Sequence, residues 1–156
     1  MNEVLDSLGN FIEEESQHYF QSASFLCREY HAKSRCLDLK LQLERPLPYE
    51  VYHGLIHNMR MHFHTDVKLS VQANSFECGM EDLDRYVQDL IAQNTPLRPF
   101  SGLHPYQENG SICFMTKDES QHYEIKRAKP LLEEKLKVFG IETDFVCKLE
   151  EEQMAQ

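Results

Sequence analysis

The chain has 156 residues, 41% of them hydrophobic and 27% charged, with a net charge of −10. That length admits one domain or two small ones with a sizeable core. The acidic balance lacks the basic footprint of a domain that grips phosphate and favours protein partners. The apolar runs fall far short of the roughly 20 residues that span a bilayer, so no membrane association is expected. Glu3 and Asp6 stand where a secretory leader needs basic residues, and a cytoplasmic location is the expectation.

Residues 2–21 read as a helix. Val4, Leu5, Leu8, Phe11 and Ile12 share one face, and Glu13, Glu14 and Glu15 follow. Gly9 weakens this helix by about 1 kcal/mol relative to alanine. The face either packs or anchors a partner; Leu8, Phe11 and Ile12 are its candidate contact residues. Residues 25–30 and 35–44 read as antiparallel strands joined around Ala32, Lys33 and Ser34. In the second strand Leu37, Leu39, Leu41 and Leu43 alternate with polar residues, the period of a strand buried on one face.

After Pro46 and Pro48 the spacing becomes helical. Val51, Leu55, Met59 and Phe63 recur, with Tyr52 and Ile56 beside them, so a helix runs to about His62 with Pro48 in its first turn. Val67, Leu69 and Val71 give a third strand. Residues 80–93 form a second amphipathic helix with Leu83, Tyr86, Val87, Leu90 and Ile91 on its apolar face. Residues 94–110 hold Pro96, Pro99 and Pro105 without a clear period and read as a linker or long loop. Beyond it come a strand over 111–117, a helix over 120–139 that Pro130 should kink or split, a C-cap at Gly140, and a strand over 144–149. Residues 150–156 read as a frayed polar tail.

The expected architecture is α+β, with small mixed sheets covered by helices on one face. The expected division is 1–93, a linker at 94–110, and 111–156, the two halves possible parts of one body.

Candidate chemistry is sparse. Five cysteines without a C-x-x-C pair suggest neither a disulfide framework nor a zinc ribbon. His53, His57 and His64 have helical spacing, and two histidines at i, i+4 can chelate zinc. They lie opposite Val51, Leu55 and Met59, which turns them toward water. No G-x-S-x-G, phosphate loop or G-x-x-G clamp occurs. No catalytic residue, metal, cofactor or small-molecule substrate is expected. Lys126, Arg127, Lys129, Lys135 and Lys137 are interleaved with Glu124, Glu133 and Glu134. They read as a salt-bridged helix face or, alternatively, as a nucleic-acid contact through Lys126, Arg127 and Lys129. The second reading requires these residues to cluster with Lys68 or Arg98.

The run LDLKLQLERPLPYEVYHGL, Leu37 to Leu55, resembles the amino-terminal region of the PolC-type DNA polymerase III alpha subunit. The matching features are an alternating strand and a Leu-Pro-aromatic corner at Leu47, Pro48 and Tyr49. A helix opens with Val51 and Tyr52. His31 to Ser34 suits that family's hairpin turn. Ile125 to Gly140, a long helix ending in aromatic-Gly, is a second match in the same order, so the resemblance covers residues 24–150. It implies small α/β pieces, one similar to the polymerase-binding domain of the clamp-loader tau subunit and one KH-like. It also implies a replicative DNA-directed DNA polymerase with 3′–5′ exonuclease activity, whose catalytic parts lie beyond position 156. Replisome proteins are the implied partners. A KH-like contact with single-stranded or primer-template DNA is the alternative.

Overall fold

The computed structural model describes residues 2–150. The tail expected over 150–156 therefore lies, apart from Glu150, outside the described residues. The architecture is α+β, and the described chain divides into two compact units: residues 2–78 with 137–141, and residues 79–136 with 142–150. The boundary falls between Cys78 and Gly79, not at 94–110.

The first unit opens with α1 (Glu3–Leu8), capped by Asn2. The Asn2 side-chain oxygen accepts from the Val4 and Leu5 amides at 3.0 and 3.2 Å. Its amide nitrogen donates to the Gln21 carbonyl at 2.8 Å, which ties both ends of the segment together. The long helix expected over 2–21 is broken. A 3-10 turn (Gly9–Phe11) follows α1, Ile12 and Glu13 are extended, and a second 3-10 segment spans Glu14–Phe20. The break sits where a helix is weakest: at glycine and before three adjacent glutamates. Glu14 and Glu15 instead occupy a helix start, where the backbone dipole favours negative charge.

β1 (Ser24–His31) pairs antiparallel with β2 (Cys36–Leu43), and β2 pairs parallel with β3 (Asp66–Ala73). The crossover is α2 (Tyr49–Phe63). Both expected strands of the hairpin are present, the second where the alternation of its leucines put it. Leu26 is an extra residue in β1, a bulge that breaks the register between Phe25 and Cys27. Leu39, Leu41 and Leu43 are buried with Val67, Leu69, Val71 and Ala73. Residues 137–141 run beside β3: Phe139 bridges Val71 in parallel, and its ring meets Tyr52 edge-on at 5.0 Å. Phe139 and Gly140 thus lie beyond the helix that was expected to contain Phe139.

The second unit repeats the plan of hairpin, helix and parallel strand. α3 (Met80–Gln93) buries Leu83, Tyr86, Val87 and Leu90. β4 (Tyr106–Glu108) and β5 (Ser111–Thr116) form a hairpin, and α4 (Glu119–Leu136) leads to β6 (Val146–Leu149), parallel to β5. The expected linker is part of this unit. Thr95–Phe100 is a 3-10 helix whose Leu97 and Phe100 are fully buried. Phe100, Phe114 and Phe145 stack in series, with centroids 4.9 Å apart at each step. β4 was missed although Asn109 and Gly110 supply the two positive-φ residues of a tight hairpin turn. Pro130 lies within one continuous helix and does not split it.

Candidate interaction surface

α2 is rotated from its expected packing. Tyr52, Leu55, Ile56 and Met59 are buried, whereas Val51 is half-buried and Phe63 is 48% exposed. Residues four apart drift by about 40° per step around a helix of 3.6 residues per turn. The row from Val51 to Phe63 therefore cannot stay on one face, and its two ends leave the sheet.

Those ends meet the 3-10 turn. The Phe11 ring lies 5.5 Å from Phe63 and 5.2 Å from His62, and the Asn58 side-chain amide donates to the Phe11 carbonyl at 2.9 Å. Asn10, Phe11, Asn58, Met61 and His62 line an open depression beside it, and Met61 is 63% exposed. Leu8 and Ile12, expected to share a contact face with Phe11, are buried, at 5% and 7% exposure. The turn at Gly9 sends them into the core and leaves Phe11 at the surface. Met61 and Phe63 went unrecognised because the sequence assigned Phe63 inward.

On the other side of Phe11 lies a groove of about 310 Å³. Ile12 and Leu55, both buried, and the half-buried Phe11 and Val51 form its floor. The exposed Glu13, Glu15 and Glu50 also line it. Hydrogen bonding to Glu15, then the charges of Glu15 and Glu50, push the Glu13 carboxyl above its ordinary value. Hydrogen bonds from its own backbone and from Glu13 hold Glu15 below its ordinary value.

The basic residues of α4 are disposed differently. Lys129 pairs with Asp144 at 2.6 Å and with Glu133 at 3.6 Å. The Arg127 guanidinium lies 5.8 Å from the Tyr123 ring centre, and Lys126 and Arg127 are exposed. Arg98, the residue that would join them in a nucleic-acid patch, shares a depression with Asp118 and Glu124. The charged side chains that share this depression with Arg98 are acidic.

His57 and His64 face solvent, as their spacing predicts, and His64 ends α2 in a left-handed conformation. His53 does not: its ring sits 4.4 Å from Tyr49 and 5.1 Å from Tyr52. His31 pairs with Asp38 at 2.7 Å, and His104 pairs with Asp84 at 2.9 Å. Burial pushes the Cys36 and Cys147 thiols up, away from the thiolate form that reacts. Among the described residues, no helix is long and apolar enough to cross a membrane.

Neither a curated protein nor a solved structure matches the chain. A family model does: residues 1–73 match the DNA polymerase III polC-type N-terminus I. The match ends at the last residue of β3 and so spans the hairpin, the Leu47–Pro48–Tyr49 corner and α2. Ile125 to Gly140, the second run of resemblance, lies outside it. Over residues 1–73 this chain is thus similar to the PolC-type DNA polymerase III N-terminus I family.

Proposed function

We propose that this chain is a noncatalytic interaction module of a PolC-type DNA polymerase III alpha subunit, acting in bacterial chromosomal DNA replication. It holds the polymerase among replisome proteins. The match over residues 1–73 carries this reading. The surface of the matched unit supports it. Phe11, Met61 and Phe63 present apolar area at one end of α2, and the adjoining groove is acidic. Both features suit a protein and not a phosphate backbone.

A KH-like module that contacts DNA is the second reading. The exposed Lys126 and Arg127 favour it, while the pairing of Lys129 with Asp144 weakens it. A pull-down with purified replisome proteins, using residues 1–156 as bait, tests the first reading. A stoichiometric complex that Phe63→Ser or Met61→Ser weakens is expected. Failure to capture any replisome protein, together with saturable DNA binding, would transfer the assignment to the second reading.

A further inference from the structure

The groove beside Phe11 combines an apolar floor with exposed carboxylates of Glu13, Glu15 and Glu50. It also has a glycine in its wall. Gly54 lies in the interior of the 15-residue helix α2, where glycine is less stable than alanine. No close packing demands glycine, since nothing stands within 4 Å of the place its Cβ would take. Its φ is not positive either. The missing side chain keeps the groove open.

We infer that this groove docks a basic amphipathic segment of a partner protein, seating aliphatic residues on the floor and lysine or arginine heads against the three carboxylates. The shape and the charge agree on that occupant. A long cationic side chain lays its methylene stem on apolar surface and keeps its head at a polar border. A helix-in-groove contact uses the same division between faces. An acidic segment would meet like charge. A second copy of this chain would add another −10 to a surface already acidic. The inference rests on the reading of the chain as an interaction module and names the chemistry of its partner.

The test is a fluorescence titration of residues 1–156 with a labelled synthetic peptide carrying leucine and lysine at helical spacing. Two control peptides replace every lysine by glutamate or every leucine by serine. Gly54→Leu fills the groove with a good helix former, and Glu50→Lys reverses one border charge. Saturable binding of the lysine–leucine peptide is expected, weaker by about tenfold or more in each variant. Thermal melts report folding; if Gly54→Leu does not fold, Glu50→Lys decides alone. Unchanged affinity in the folded variants, or equal binding of the glutamate peptide, would overturn the inference. Sedimentation showing self-association that Gly54→Leu abolishes would also overturn it, by assigning the groove to a second copy. If replisome proteins are captured equally by wild type and both variants, the groove assignment fails and the module reading stands. If the peptide binds as expected but no replisome protein is captured, the module reading fails and the groove assignment stands.

Discussion

Gly140 sits against Val71 so closely that a Cβ on Gly140 would lie 3.0 Å from Val71 Cγ1 and 3.2 Å from the Ala73 Cβ. Gly140 also has φ +78°, and the Val71 amide donates to the Val138 carbonyl at 2.7 Å. Residues 137–141 hold their place beside β3 only because this position lacks a side chain. Gly140→Ala should destabilise the protein by about 1–3 kcal/mol, since both the left-handed backbone and the close contact resist it. Gly9→Ala is the control. Nothing lies within 4 Å there and φ is −57°, so denaturant unfolding should show a neutral or slightly stabilising change.

Tyr52 donates its phenol hydrogen to the Leu69 carbonyl from a buried position on α2. Burial pushes its pKa well above the ordinary tyrosine range. Tyr52→Phe should cost about 1 kcal/mol at neutral pH through the lost hydrogen bond. The pH dependence has a definite sign. In alkali the unfolded tyrosine ionises first, so stability falls as pH rises through the ordinary tyrosine value. Unfolding curves of Tyr52→Phe should show a shallower alkaline decline than wild type.

Lys129 and Asp144 form an ion pair in the second unit. Hydrogen bonding to Lys129 holds Asp144 below its ordinary value, and hydrogen bonding to Asp144 holds Lys129 above its own. The Asp144 contribution is present above the ordinary aspartate value and is lost as pH falls through the depressed one. The Lys129 contribution is present below the ordinary lysine value and is lost as pH rises through the raised one. Asp144→Asn should therefore flatten the acid limb of a thermal stability profile.

Phe100→Ala distinguishes a packed element from a linker. Phe100 is fully buried against Phe114, so removing its ring should cost about 3–5 kcal/mol. A residue of a solvated linker would cost almost nothing. Urea unfolding reads the difference.

The strands of the first unit were legible because β2 alternates leucine with polar residues, and a one-residue slip would expose all four. α2 was legible as a helix but not in rotation, since Val51, Leu55, Met59 and Phe63 fit a rough period that geometry cannot sustain over four residues. The 94–110 segment hides its structure in sequence, since Pro96, Pro99 and Pro105 mask the 3-10 helix that buries Leu97 and Phe100 and the Asn109–Gly110 hairpin turn. The groove was invisible in sequence. Its parts come from two segments about 40 positions apart, and only Gly54, an isolated glycine in a helical pattern, carried a local signal.

The most direct measurement of the central claim is a pair of titrations on residues 1–156, one with purified replisome proteins and one with labelled primer-template DNA. Both are run from about 50 mM to about 200 mM salt. A protein-interaction module gives a saturable protein complex and no saturable DNA binding across that range. Tight DNA binding that weakens steeply with salt, with no protein complex at any concentration tested, would contradict it.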